Sequence, residues 1–225
     1  MFDLRPNNKI ALMLAKRSLS ELVCDAVNLD GINFTLPEVQ TLLNGITVGG
    51  HKFHDQENVL TELKSWKKIF FDIENNHFEI SKKYVCSLYN IISNRNISEL
   101  SNFRTSQVSI IGTDYMPPMP HELDKCFDLM KKQANDIKDI LNQSIFIFLE
   151  MSRNKFFKYD NKRISKFVMN GNLLQHGYPV INIPAKRQLE FNQKMLNFYE
   201  THNHQEMTEF MLSCIDGRVV EIMSD

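Results

Sequence analysis

The residues with the clearest chemical potential lie together between positions 153 and 166. After Arg153, five further basic side chains are concentrated there, namely Lys155, Lys158, Lys162, Arg163 and Lys166. Arg163 and Lys166 are three residues apart, so on a helix they would share a face and could both reach a phosphate chain. A helix that begins near Asp160 would also present N–H groups without intrahelical partners, which attract anions. The same cations are typical of a solvated basic face, and spacing alone leaves both interpretations open.

Two apolar helices are predicted to hold this basic stretch. Residues 136–152 carry apolar groups at helical spacing: Ile137, Ile140, Leu141, Ile145, Phe148 and Leu149. Residues 161–175 repeat the pattern with Ile164, Phe167, Val168, Gly171 and Leu174, and Gly177 suits a helix C-cap. The basic stretch is therefore expected to connect two buried helices, with its second half at the start of the second one.

Most of the remaining chain also predicts helices. Thr35, Pro37 and Glu38 form a helix start with a capping box. Further helices are predicted over 9–24, 55–73, 81–93, 122–133, 184–201 and 204–214. Residues 98–120 differ because they contain β-branched residues, then Gly112, then two consecutive prolines. This pattern favours a β-hairpin or extended flap.

Composition excludes several classes of protein. The net charge of −1 offers no general attraction for nucleic acid or an anionic membrane. We find no signal peptide and no apolar run long enough for a membrane span. The four cysteines, Cys24, Cys86, Cys126 and Cys214, are far apart and are predicted to be reduced thiols. We therefore expect a cytoplasmic protein without a membrane or nucleic-acid partner.

The basic stretch resembles the active-site loop of the Fic (Fido, cell filamentation protein) family, H-x-F-x-[DE]-G-N-G-R-x-x-[RG]. Phe157, Asn161 and Arg163 match this pattern. Lys155 replaces the motif's histidine, and Tyr159 replaces its acidic residue. Asp160 and Lys162 replace its two glycines, and Lys166 occupies its last basic position.

Other segments support the resemblance in the same order along the chain. Asp30-Gly31, preceded by Ala26, resembles the family's inhibitory segment [ST]-x-x-x-E-[GN]. Residues 45–50 are similar to a glycine turn, 103–120 to the flap, and 170–184 to the segment after the motif. The likeness covers roughly residues 18–212. It implies an all-α, Fic-like helical bundle with a short β-hairpin flap in one domain, 1–225. Residues 1–50 would form N-terminal helices with the inhibitory-like segment, 51–215 the core, and 216–225 a C-terminal tail.

In the family, these parts transfer AMP from ATP to a protein hydroxyl. The resemblance assigns Lys155, Asn161 and Arg163 to the catalytic positions. It assigns nucleotide binding to Asp160, Asn161, Lys162, Arg163 and Lys166. It places a protein substrate or partner at a target flap of Val108, Ser109, Ile110 and Ile111. ATP and Mg²⁺ are the implied cofactors, with Asp160 as a candidate metal ligand.

The substitutions in the motif leave several functions open. The chain is interpreted as an AMP transferase impaired by loss of the histidine, or as a non-catalytic nucleotide- or protein-binding module. A Doc-like phosphotransferase is a further alternative. The resemblance also predicts that the inhibitory acid, here Asp30, reaches the last basic position, here Lys166.

Overall fold

The computed structural model describes residues 4–93 and 102–224, and these ranges contain eleven α-helices. Their bounds are α1 Asn8–Arg17, α2 Leu19–Leu29, α3 Leu36–Leu43, α4 Phe53–Glu74, α5 Lys82–Ser93, α6 Leu123–Asp136, α7 Ile140–Asn154, α8 Asn161–Gln175, α9 Gln188–Thr201, α10 His204–Leu212 and α11 Gly217–Ser224. Short 3₁₀ turns over Pro120–Glu122 and Ala185–Arg187 precede α6 and α9. None of the described helices combines the length and apolar character needed to span a bilayer.

Helix α8 lies at the centre of the fold. Twelve of its fifteen residues are buried, and it packs against α7, α4, α5 and α1. Gly171 permits close contact on one side, since a Cβ atom there would lie 2.1 Å from Cε2 of Phe78. A helix enclosed in this way has a fixed position, so the side chains of its first turn are held by the core.

Helix α7 joins the two hydrophobic clusters of the molecule. Ile147 and Met151 pack into a cluster formed mainly with α1–α6. Ile145, Phe148 and Leu149 pack into a second cluster with α9 and α10. The end of α7, where the basic stretch begins, is therefore supported from both sides.

Several sequence predictions are confirmed. Helix α3 begins after Thr35, whose backbone N–H and hydroxyl each donate to Glu38 Oε2 at 2.8 Å. Helix α8 has the predicted bounds, and Gly177 follows it with a positive φ of 78°. All four cysteines are free thiols.

Other predicted bounds are wrong. The helix predicted over 9–24 is two helices, because the chain leaves helical geometry at Ser18. Helix α7 begins at Ile140 and not at 136, since the Asp139 side chain accepts from Asn142 N–H at 2.8 Å and caps the helix. The segment predicted as a C-terminal tail, 216–225, contains α11.

The predicted β-hairpin flap is also not observed. The described residues contain no β-strand, and 102–119 form an irregular loop; residues 98–101 of the predicted flap lie outside the described ranges. Pro117 and Pro118 have no N–H to donate to a ladder. Side chains join the two arms instead: Gln107 Nε2 donates to Pro117 O at 2.7 Å, and the Arg104 guanidinium donates to Pro118 O.

Candidate functional site

The connection between α7 and α8 is a short loop with left-handed backbone at both ends. Lys155 has φ 51° and Asp160 has φ 55°. Residues with a Cβ adopt this region infrequently, although aspartate tolerates it well. The backbone conformation of Asp160 is one that glycine also adopts readily. The resembled motif has glycine at this position.

Asn161 holds this loop in shape. Its side-chain Oδ1 accepts from Phe157 N–H at 2.9 Å, and its Nδ2 donates to Phe157 O at 2.6 Å. The Phe157 ring is fully buried and stacks on Tyr89 with ring centroids 4.0 Å apart. Buried polar side chains with satisfied hydrogen bonds specify local geometry strongly. Phe157 and Asn161 therefore position the loop.

Arg104 anchors the same loop from outside. Its Nε donates to Lys155 O at 2.6 Å, and its backbone N–H donates to Phe156 O at 2.9 Å. Nη1 of the same guanidinium donates to Ser106 O at 2.9 Å. The irregular loop 102–119 and the basic stretch are consequently fixed to each other at Lys155.

Arg163 is almost enclosed and is surrounded by carboxylates. Nη2 and Nε donate to Asp30 Oδ2 at 2.7 and 3.2 Å. Nε lies 3.6 Å from Glu62 Oε2, and Nη1 lies 3.9 Å from Asp160 Oδ1. Burial alone would lower the pKa of Arg163, but these three carboxylates raise it, so the guanidinium is permanently charged.

Asp30 is therefore bonded to Arg163 and not to the last basic residue of the motif, Lys166. The prediction that Asp30 reaches Lys166 is replaced by an Asp30–Arg163 ion pair, with Gly31 completing the turn after α2 at φ 82°. Burial alone would raise the pKa of Asp30, but the charges of Lys166 and Arg163 lower it. Lys166 thus acts on Asp30 through its charge, while Arg163 supplies the hydrogen bonds.

Glu62 of α4 is a site residue that the sequence analysis missed. Its side chain is 3% exposed, and Oε2 has no hydrogen-bond partner. Burial raises its pKa to about 6, although the Arg163 and Lys166 charges act in the opposite direction. A signal was present in the sequence, since Glu62 falls on the apolar face of α4 with Val59 and Trp66.

Two lysines of the cleft, Lys155 and Lys162, have lowered pKa values. Burial, with a smaller effect from Lys162, lowers the pKa of Lys155 to about 8. Burial also lowers the pKa of Lys162, and the Lys166 charge adds to that effect while the Asp30 charge opposes it. Lys155 Nζ lies 5.5 Å from the Tyr199 ring centroid. At neutral pH a measurable fraction of Lys155 is a neutral amine, which can accept a proton.

Lys155, Lys162 and Arg163 line one open cavity of about 480 Å³, which is within the size range of small-molecule sites. Among the predicted residues, the cavity brings together Asp30, Val108, Ser109, Lys155, Asp160, Asn161, Lys162 and Arg163. Residues His54, Glu57 and Asn58 at the start of α4 also line it, and they were not predicted.

Four predicted residues do not line this cavity, namely Gly31, Lys166, Ile110 and Ile111. Lys166 lines a separate, smaller cavity beside Glu62 and Trp66. Ile110 packs against the second hydrophobic cluster, and the side chain of Ile111 is 97% exposed. Of the predicted target flap, only Val108 and Ser109 reach the cleft.

The implied Mg²⁺ does not fit the residues present. Mg²⁺ prefers an octahedral set of oxygen ligands that includes one or two carboxylates. A phenol, Tyr159, occupies the position of the motif's acid. The Asp160 carboxylate, the candidate metal ligand, lies 3.9 Å from the Arg163 guanidinium. A cation there would have to compete with a buried arginine.

Comparison with known proteins supports the fold assignment. No protein-family model matches the sequence, and no curated protein matches it either. Solved structures do match. A Fic domain containing signaling protein from Bacteroides thetaiotaomicron superposes with a TM-score of 0.78 at 15% identity, over 97% of this chain and 90% of that one.

Two further structures agree. A Fic-1 fragment from C. elegans matches with a TM-score of 0.77 at 14% identity, over 96% of this chain and 65% of that one. A Fic family protein from Desulfovibrio desulfuricans matches with a TM-score of 0.68 at 16% identity, over 94% of this chain and 67% of that one. The chain therefore has the all-helical fold of Fic domains over nearly its whole length.

Proposed function

We propose that the chain is a nucleotide-binding Fic-fold protein whose phosphate site is restrained by the Asp30–Arg163 ion pair and whose adenylyl transfer is impaired. The observation that carries the proposal is the start of α8, which opens into a cleft containing Lys155, Lys162 and Arg163. Helix N-termini and arginine forks are the usual partners of phosphate groups.

The restraint follows from the charges around Arg163. Two hydrogen bonds from Arg163 to Asp30 use donors that a phosphate would need. Asp30, Glu62 and Asp160 also repel an anion that approaches Arg163. We therefore expect weak binding of ATP or ADP, with dissociation constants in the range of about 1 mM.

Isothermal titration calorimetry with ADP tests the binding. Wild type and Lys162→Ala are compared, with Lys138→Ala as the matched control because Lys138 is exposed and does not line the cleft. Lys162→Ala should weaken binding, and Lys138→Ala should leave it unchanged. Absence of saturable heat from both wild type and Asp30→Asn at millimolar ADP would refute the proposal.

A second candidate function is adenylyl transfer to a protein hydroxyl with Lys155 as general base. The lowered pKa of Lys155, about 8, favours it. The target hydroxyl oxygen would bond to the α-phosphorus while its proton passes to neutral Lys155 Nζ. The bond from the α-phosphorus to the bridging oxygen would break, and pyrophosphate would leave.

A protein partner would approach along loop 102–119. Val108 and Ser109 line the cleft, and the described part of this loop has no strand pairing, so its backbone can pair with an extended segment.

Lysate incubated with purified protein and ATP labelled at the α- or the γ-phosphate distinguishes adenylyl transfer, phosphate transfer and binding without transfer. Label from the α-position alone indicates adenylyl transfer, label from the γ-position alone indicates the Doc-like phosphotransferase, and no label supports the binding module.

A further inference from the structure

A separate cluster of metal-binding side chain types lies near the C-terminal end of α7. Glu150 is in the last turns of that helix, and its side chain is 9% exposed. His202 and His204 flank Asn203 in the tight connection between α9 and α10. The ligand atoms of the three residues all lie within 4.8 Å of one another.

The two imidazoles converge on one carboxylate oxygen. His202 Nε2 lies 2.6 Å from Glu150 Oε1, and His204 Nε2 lies 2.8 Å from the same atom. Around a tetrahedral zinc ion with ligand bonds of 2.0–2.1 Å, neighbouring ligand atoms are about 3.3 Å apart. The His202 contact therefore needs to open by about 0.7 Å and the His204 contact by about 0.5 Å to enclose such an ion. The histidine side chains are 45% and 31% exposed, so they have room to rotate.

Neighbouring side chains hold the two histidine rings in defined orientations. The His204 ring stacks on Phe146 with centroids 5.2 Å apart and meets the Phe198 ring edge-on, also at 5.2 Å. Phe198 also contacts the His202 ring at 5.8 Å. Asn154 Nδ2 donates to the backbone carbonyl of Glu150 at 2.8 Å. Neighbouring rings and hydrogen bonds of this kind orient metal ligands.

His202 adds a backbone argument. It has a left-handed conformation, with φ 55°, and forms the C-cap of α9. A β-carbon is disfavoured there, and glycine or asparagine is the usual residue at this position. The strained position brings the imidazole back to Glu150, so the conformation serves the cluster.

We propose that Glu150, His202 and His204 form a binding site for a divalent transition metal, with Zn²⁺ as the expected ion. Two imidazoles and one carboxylate suit zinc, and water would complete a tetrahedral set. The ion would join α7 to the connection between α9 and α10. The site is independent of the cleft, and its test does not depend on the proposed nucleotide binding.

Calorimetric titration of chelator-treated, full-length protein with Zn²⁺ tests the site. We expect one saturable equivalent in wild type and in His121→Ala, a matched control at an exposed histidine outside the cluster. His202→Ala and His204→Ala should lower the affinity by at least about tenfold each. Circular dichroism of the metal-free variants confirms that they are folded, and the exposed position of His202 makes this variant the safest.

Visible absorption after addition of Co²⁺ gives a second readout. Tetrahedral coordination by the cluster predicts d–d bands in wild type that are lost in His204→Ala. Absence of a saturable equivalent, or the same Zn²⁺ affinity in wild type and both histidine variants, would overturn the proposal. The cluster would then be a hydrogen-bonded histidine–glutamate group only.

Discussion

The Asp30–Arg163 ion pair offers the most direct test of the reasoning about the cleft. Asp30→Asn removes the negative charge and retains a side chain of nearly the same shape. Among the described residues, Glu62 and Asp160 would be the carboxylates left beside Arg163, at 3.6 and 3.9 Å, and neither makes a hydrogen bond to it at these distances. The neutral amide oxygen would hold Nη2 and Nε more weakly than the carboxylate does, so a phosphate could displace it more easily.

The expected size of the effect follows from the geometry of the pair. A hydrogen bond to a charged group contributes about 1.5–3 kcal/mol. The Asp30 side chain is 32% exposed, so water screens the interaction and reduces the estimate to about 1–2 kcal/mol. If bound ADP must replace this interaction, Asp30→Asn should tighten binding by about 5- to 30-fold.

Calorimetry with ADP measures this change directly. Asp128→Asn is the matched control, because Asp128 is exposed on α6 and does not line the cleft. Adding Lys162→Ala to Asp30→Asn should reverse part of the gain if the nucleotide occupies the start of α8. An unchanged or weaker affinity in Asp30→Asn, with the fold intact, would refute the idea that this ion pair restrains the site.

Four further outcomes are expected. Folded Glu62 has a pKa of about 6, above its ordinary 4.5, so the fold favours its protonated form. The free energy of unfolding should therefore fall by about 2 kcal/mol between about pH 4.5 and 6, and Glu62→Gln should flatten that slope in denaturant titrations. Lys155 should be acetylated faster than other lysines at pH 8, where about half of it is neutral against about 0.4% of an ordinary lysine, and equal rates by mass spectrometry would contradict this. Gly171→Ala should destabilise the fold by about 1–3 kcal/mol in chemical denaturation, because its Cβ would overlap Phe78, whereas Gly217→Ala meets nothing within 4 Å and serves as control. Restoring the motif with Lys155→His, Tyr159→Asp and Asp160→Gly should raise transfer of α-labelled AMP by at least about 100-fold, and a silent variant would show that more than these three side chains limits the reaction.

The loop that carries the candidate site was predicted from local patterns. The apolar spacing on either side of residues 153–166 predicted the loop between α7 and α8, and α8 has the predicted bounds. Capping and periodicity depend on neighbours within a few residues, so they can be read from the chain directly. The conformation of loop 102–119 was predicted less well from the sequence. Its β-branched residues predict strands, whereas its prolines and the Arg104 hydrogen bonds prevent a β-ladder.

The sequence by itself determined the helical class, most helix positions and the concentration of cations at one helix start. Only the tertiary structure decided what those cations do. Asp30 and Arg163 are 133 residues apart, and they meet because α2 and α8 both pack against α4. The burial of Glu62 and Lys155, which moves their pKa values in opposite directions from the same physical cause, likewise depends on the surrounding helices. Desolvation and ion pairing are properties of three-dimensional neighbours, so no local pattern could specify them.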